Sequence, residues 1–304
     1  MKNTHCTLCP RNCNIDRTQS MGFCGQKNQV FVSKVMLHKF EEPCICGFSE
    51  CAEENSGSGA IFFSGCNLRC IYCQNHDISQ KQSGKMVSVQ TLVNIFKQLE
   101  NAGALNINLV TPTHYTEQII EALKIYKPSI PVIWNSSGYE KAETLQKLDG
   151  LVDIFLMDFK YFDSNLAKEL SNAKDYPKNA KECLKTIKSM IPNNIFDQNG
   201  IMQKGIIVRH LVLPEMTNDS KNILDWIKEN LGADTIVSLM SQYVPMHKAV
   251  GHPKIGRKLK PIEYKTVVAH AKKLGFDNAY IQDLSSSDTT YTPNFSQDDK
   301  IFNY

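Results

Sequence analysis

What this 304-residue chain lacks narrows its class before any motif is weighed. No apolar run approaches the roughly 18 residues needed to cross a bilayer, so a membrane-spanning helix is not expected. No apolar core of the kind a secretion signal needs follows Met1-Lys2-Asn3-Thr4-His5-Cys6, and a cytoplasmic location is the expectation. A strong charge of either sign is also missing. The net +3 at pH 7 is too small to point to nucleic acid or a membrane as partner, and the basic run around Arg257, Lys258 and Lys260 reads as a solvated face. What remains is an ordinary globular composition, 42% hydrophobic and 21% charged, in a chain long enough for a sizeable core. Eleven cysteines stand out against it. Without an export signal, they fit metal ligation in a reducing compartment better than disulfides.

Three of the cysteines fall within eight residues, Cys66-Asn67-Leu68-Arg69-Cys70-Ile71-Tyr72-Cys73. They follow directly on Ala60-Ile61-Phe62-Phe63, an apolar run that reads as a buried strand. Thiolates on a turn leaving a strand can converge on one centre, and as soft ligands they suit iron–sulfur clusters, zinc or copper. An electron-transfer [4Fe–4S] cluster is usually held by four thiolates. Three would leave one iron open to an outside ligand, as catalytic zinc keeps a position open for substrate. The competing reading is a structural zinc knuckle with a remote fourth ligand. The C-x3-C-x2-C spacing, with Tyr72 before the last cysteine, resembles the signature of the radical S-adenosylmethionine (SAM) enzymes. The wider run from Phe62 to Asn75 resembles the pyruvate formate-lyase activating-enzyme branch, and within it the PflX-like members.

Residues 1–58 read as a cysteine-rich segment. Cys6, Cys9, Cys13 and Cys24 are spaced C-x2-C-x3-C-x10-C, with Gly22 and Gly25 permitting tight turns around the last. Four thiolates there suit a second metal site, either zinc or a second [4Fe–4S] cluster. The opening Cys6-Thr7-Leu8-Cys9-Pro10 also resembles the PflX-like proteins. Between Met1 and Gln29 the clearly apolar side chains are chiefly Leu8, Ile15, Met21 and Phe23, so a metal is expected to order the segment. Val30-Phe31-Val32 reads as a short strand. Cys44, Cys46 and Cys51 read as free thiols, with His38 as the one tempting partner for a third site. Ser56-Gly57-Ser58-Gly59 reads as a flexible hinge.

From residue 60 the chain alternates apolar runs with amphipathic segments. Strands are expected at 60–63, 105–110, 131–135, 152–157, 205–213 and 235–240, with a seventh piece at 279–281. Helices are expected from Ser88 to near Gly103, around Ile119 to Leu123, and at 139–148, 164–171, 178–191, 219–231 and 261–274. Repeated βα units require a parallel α/β sheet with right-handed crossovers. The resemblance implies a partial (β/α)6 TIM-like radical SAM barrel over residues 59–284, with a cysteine-rich N-terminal extension. Residues 285–304, rich in Ser, Thr and Asp, read as a polar tail.

Ligands gather at the carboxyl ends of parallel strands. There the chain carries Thr111 and Thr113, Asn135 and Ser137, Asp158 and Lys160, Arg209 and Gln242. Radical SAM enzymes generally resemble Gly-Gly-Glu after the second strand; this chain has Thr111-Pro112-Thr113-His114 and no carboxylate. The resemblance therefore implies that hydroxyls or backbone carbonyls hold the SAM amine. It implies Asp158, Lys160 and Gln242 as further SAM contacts, with Tyr72 beside the cluster loop; Asn135 and Ser137 offer short donors and acceptors suited to ribose or carboxylate, and the Arg209 guanidinium suits the SAM carboxylate. Asp158 and Lys160 read equally as a plain ion pair, and Cys183 reads as a core residue. The implied activity is that of an oxidoreductase. Cys66, Cys70 and Cys73 hold a [4Fe–4S] cluster whose electron cleaves SAM to a 5′-deoxyadenosyl radical for hydrogen abstraction. A reducing donor of flavodoxin or ferredoxin type is implied, and a glycyl radical on a partner protein is one known outcome in the branch. The substrate is left open. The alternatives are an iron–sulfur electron carrier without SAM and a zinc-stabilised binding protein.

Overall fold

The computed structural model describes residues 5–47 and 57–284, together with Pro293 and Phe295. Cys51, Ser56 and the rest of the tail beyond residue 284 lie outside them. β1 (Val30–His38) is longer than the expected three-residue strand and leads into the single turn α1 (Pro43–Cys46), with its proline in the first turn where no amide donor is needed. β2 (Gly57–Phe63) is buried throughout. Next come α2 (His76–Ser79), β3 (Lys85–Val87) and α3 (Val89–Asn101). Ser88 caps α3 by accepting from the Thr91 amide, as its place before the apolar stripe predicts. β4 (Ala104–Val110), α4 (Thr116–Ile125), β5 (Val132–Ser136), α5 (Ala142–Gln146) and β6 (Ile154–Asp158) continue the alternation. α5 is shorter than the expected 139–148, because Gly138 turns at φ +73° and Lys141 is still extended. α6 (Ser164–Ser171), capped by Asp163, and α7 (Tyr176–Met190) precede the hairpin strand β7 (Ile195–Phe196) and β8 (Met202–Leu211). α8 (Thr217–Leu231), β9 (Ile236–Met240), α9 (Pro261–Lys273) and β10 (Tyr280–Ile281) complete the order.

The sheet runs β10-β9-β8-β6-β5-β4-β2-β1-β3, with β7 beside β8. Every neighbour from β2 to β10 on this path is parallel, whereas β1 joins β2, and β3 joins β1, antiparallel. β10 and β3 are the ends of the path and do not pair, so the barrel is partial. The expected hinge needs correction. Gly57, Ser58 and Gly59 are the start of β2, with the Ser58 hydroxyl 2.7 Å from Asn106 Oδ1. A Cβ on Gly59 would come within 2.6 Å of the Asn106 carbonyl. The glycine serves close strand packing, not mobility.

Alternation along the strands separates two faces. One carries Phe63, Leu109, Trp134, Phe155, Val208 and Leu239 against the helices, with Cys183 fully buried among them. The other, inner face carries Ile133, Ile154, Leu156 and Ile207, which meet Cys44 and Ile45 of α1. Further along that face, Phe62 and Val110 pack with Phe295, whose ring centroid is 5.4 Å from that of Phe62. The register sets Phe62, Val110, Asn135, Leu156 and Ile207 in one row across the sheet and Asp158 beside Arg209 just above it.

Candidate active site

The loop leaving β2 owes its shape to two left-handed positions, Gly65 at φ +87° and Arg69 at φ +56°. Gly65 is obligatory: a Cβ there would stand 2.5 Å from Gln26 Cγ and 2.7 Å from the Cys24 carbonyl. Arg69 is held in place by bonds from its guanidinium to the carbonyls of Phe23 and Gln80. This loop carries Cys66, Cys70 and Cys73, and each sulfur has a hydrogen-bonding group beside it. The Leu68 amide donates to Cys66 Sγ at 3.3 Å, Ser171 Oγ to Cys70 Sγ at 3.0 Å, and Ser79 Oγ lies 3.2 Å from Cys73 Sγ. Such partners favour the thiolate. Burial acts in the opposite sense, raising the Cys66 thiol and pushing Cys73 up to about 12. A metal reverses that balance by binding only the deprotonated sulfur, so the donor set fits an iron–sulfur centre.

Lys160 faces this loop. Burial opposes its charge, but Asp158 and the Cys70 and Cys73 thiols outweigh it and hold the ammonium above its usual range. Its Nζ lies 2.6 Å from Asp158 Oδ2, with both side chains about a fifth exposed. Tyr176 braces the pair from below: its hydroxyl lies 2.8 Å and 3.0 Å from the carbonyls of Ser137 and Asp158, sharing its one proton between them, and accepts from the Lys160 amide. Tyr72 is buried among aromatic rings, edge-on to Tyr161 and Tyr243. Its hydroxyl lies 2.7 Å from that of Tyr161, which is 2.6 Å from Ser171 Oγ, so Tyr72 is linked through Ser171 to Cys70.

The other expected cofactor contacts divide. Asn135 and Ser137 are half-buried at the end of β5, and Thr111, at φ +60°, turns the chain there with its amide on the Asn135 carbonyl. Gln242 ties the far side of the mouth together, accepting from Gln282 Nε2 at its side chain and from Gln74 Nε2 at its carbonyl. Two of the expected contacts are engaged by protein groups. The Thr113 hydroxyl donates to Glu140 Oε1 at 2.6 Å and is only 1% exposed, so it faces the protein interior. Arg209 does point to the inner face, but its guanidinium is engaged by Glu42, at 2.8 Å and 2.5 Å, and by Glu41. Glu41 and Glu42 stand between β1 and α1, 168 and 167 positions before Arg209, and no local pattern pairs them with it.

Turns bring the N-terminal cysteines near one another. The Cys6 amide bonds the Ile15 carbonyl and the Asn14 amide that of Cys6, while Asn12 and Asn14 take left-handed positions. A Cβ built on Gly22 would touch both Cys24 Sγ and Cys13 Sγ, at 3.4 Å and 3.6 Å. Burial raises the Cys24 thiol and pushes Cys9 up to about 12, with the neighbouring thiols adding to both. Arg11, which the motif reading passed over, stacks on Phe23 and donates to the carbonyls of Asn67, Leu68, Ser171 and Asn172. Cys44 and Cys46 are buried thiols beneath the inner face, each pushed up to about 11. Among the described residues no three His, Cys, Asp or Glu side chains converge on a single-ion position, and no helix is long and apolar enough to cross a membrane.

Comparison with known proteins bears on this arrangement. The family described as the Radical SAM superfamily matches residues 60–227, more than half of the chain. An uncharacterized protein of Methanocaldococcus jannaschii is 31% identical over 288 residues, covering 91% of this chain and 77% of the relative. The pyruvate formate-lyase-activating enzyme of Clostridium pasteurianum is 23% identical over 169 residues, 54% of this chain and 65% of that protein. Among solved structures, Streptococcus suis SuiB bound to S-adenosylmethionine superposes with a TM-score of 0.50 at 15% identity, over 71% of this chain and 47% of that one. The chain thus spans about half the length of that structure, and the likeness is one of fold.

Proposed function

Because the chain belongs to the radical SAM superfamily, with a [4Fe–4S] cluster and SAM as its cofactors, we propose that it generates a radical on a partner protein, as a glycyl-radical activating enzyme does. A cluster held by Cys66, Cys70 and Cys73 would supply the electron that cleaves SAM to methionine and a hydrogen-abstracting 5′-deoxyadenosyl radical. Support for the partner-protein reading comes from the similarity to a pyruvate formate-lyase-activating enzyme. The observation that carries the chemistry is the loop of Cys66, Cys70 and Cys73, with a hydrogen-bonding group at each sulfur and the Lys160 ammonium near all three.

The chain's own residues then have distinct tasks. Cys66, Cys70 and Cys73 would hold the cluster, three thiolates where an electron-transfer cluster usually has four. Asp158 and Lys160 carry opposite charges beside it and suit the ammonium and carboxylate of an amino acid. Asn135, Ser137, Thr111 and Gln242 edge the same mouth and offer neutral hydrogen bonds. Tyr72, Tyr161 and Tyr243 form a dry wall behind the loop, limiting water and competing hydrogen donors. A low-potential reductant is required in every case.

The test is anaerobic. Reconstituted protein with SAM and dithionite should form 5′-deoxyadenosine and methionine in equal amounts, and Cys70→Ala should form neither. A cognate partner should acquire a carbon-centred radical visible by electron paramagnetic resonance, lost when its radical-bearing glycine becomes alanine. A small molecule that accelerates SAM cleavage and becomes the product itself would overturn the partner-protein reading.

A further inference from the structure

The two cysteine sets are in contact. The Cys66 amide donates to the Cys24 carbonyl at 3.3 Å, so a residue of each set shares one backbone hydrogen bond. The contact is reinforced on both sides. Arg69, inside the barrel loop, donates to the Phe23 carbonyl, and Arg11, between Cys9 and Cys13, donates to the carbonyls of Asn67 and Leu68 and to the end of α6. Gln26, fully buried two residues past Cys24, reaches Ser64 and accepts from Tyr115. Exposure is graded across the quartet. Cys6 and Cys13 are half-buried, whereas Cys9 and Cys24 are buried.

We infer that Cys6, Cys9, Cys13 and Cys24 hold a second [4Fe–4S] cluster through which electrons reach the SAM-cleaving centre. The inference rests on the radical SAM reading of Cys66, Cys70 and Cys73. Four thiolates without histidine or carboxylate match the ligand set of an electron-transfer cluster. A closed zinc site would have only a folding role, and nothing in that role calls for contact with the barrel cysteines. The half-buried side takes the electron and the buried side abuts the receiving loop. The balance is one electron per transfer. A reduced one-electron donor of flavodoxin or ferredoxin type is oxidised as the outer cluster passes from the 2+ to the 1+ state. The outer cluster then returns to 2+ as the inner cluster is reduced to 1+.

The full chain, reconstituted anaerobically, tests this with iron and sulfide counts and electron paramagnetic resonance. Wild type should hold about eight irons, from two four-iron clusters. The triple variant Cys66→Ala, Cys70→Ala, Cys73→Ala should keep half of them, with a reduced-state signal indifferent to SAM. Cys6→Ser with Cys13→Ser should keep the other half, with a signal that shifts on adding SAM. That double variant should still cleave SAM with dithionite, while reduction of its remaining cluster by a reduced flavodoxin slows at least tenfold. One zinc in place of iron in the triple variant overturns the proposal, as does an unchanged flavodoxin-driven rate in the double variant. The triple variant reads out the quartet whether or not the double variant folds. If wild type contains iron but no signal responds to SAM, the radical SAM reading fails and takes this inference with it; if SAM is cleaved and the triple variant is iron-free, only the inference fails.

Discussion

Gly65 lies so close to Cys24 that any side chain at the glycine would overlap the cysteine's carbonyl oxygen, 2.7 Å from the position a Cβ would take. The contact is where the N-terminal segment meets the loop of the barrel cysteines, and it makes the joint between them testable.

Gly65→Ala should part the two. The left-handed backbone alone costs on the order of 1–3 kcal/mol for a residue with a Cβ, and the overlap with Cys24 and Gln26 adds to it. The expected outcome is a barrel that stays folded while the first 28 residues become sensitive to limited proteolysis. An alanine variant as protease-resistant as wild type would show that the joint adapts.

Asp158→Asn and Lys160→Ala should each weaken SAM binding about tenfold, roughly 1.4 kcal/mol, with iron content unchanged. Calorimetric titration of SAM into each variant is the measurement. Unaltered affinity would reduce the pair to an ordinary ion pair, worth about 1 kcal/mol of stability or less when exposed.

Arg209→Met should act on stability before ligand affinity, because it strands the Glu41 and Glu42 carboxylates in the interior. Removing one partner of a buried pair costs about 3–5 kcal/mol. Adding Glu41→Gln and Glu42→Gln to Arg209→Met should recover much of that in urea unfolding. Acid should mimic the loss. Burial works to raise the Glu41 carboxyl, but Arg209 and His38 outweigh it and hold it below the ordinary range. The stability it confers is therefore present above the unfolded glutamate value and lost as pH falls below that.

Glu140 should give the opposite slope. Burial pushes its carboxyl up to about 7 despite bonds from Thr113, Ser136 and Trp134. The folded chain thus holds a proton that the unfolded chain releases above about pH 4.3. Stability from this group should fall between about pH 4.3 and 7, then level off, by on the order of 3 kcal/mol in total. His114 and His210 act in the other direction, since burial lowers them to about 3 and about 4 and acid favours the unfolded chain. Between about pH 4.3 and 6.5 the two histidines outweigh Glu140, so Glu140→Gln should steepen the rise of stability with pH there, as read by chemical unfolding across that range.

The barrel was legible because its signals are local. Ser88 before an apolar stripe, Pro261 at a helix start and the short β-branched strands each state their structure within a few residues, and the spacing of Cys66, Cys70 and Cys73 states a centre. Tertiary partnership was less legible. Alternation puts Arg209 on the inner face, but no periodicity reveals that residues before the barrel fold back to neutralise it. Thr113 carries a hydroxyl at the right strand end, yet the adjoining left-handed Thr111 and the buried Glu140 draw that hydroxyl into the interior. Small residues misled in their own way: Gly57-Ser58-Gly59 has the composition of a hinge and the structure of a tightly packed strand. The N-terminal cysteines announced a cluster of thiols without announcing where it would dock.

The pairing of Glu42 with Arg209 also orders events in time. The two residues are 167 positions apart, so on the ribosome the strap from β1 through α1 is complete long before its counter-charge exists. Until β8 is made, the two carboxylates remain in water, because burying them unpaired is unfavourable. The strap therefore settles onto the inner face late, after the strand bearing Arg209 has joined the sheet. Joining residues this distant is entropically slow, so seating α1 and its carboxylates on the inner face is expected to be a late step of folding, whereas β1 can pair with β2 early.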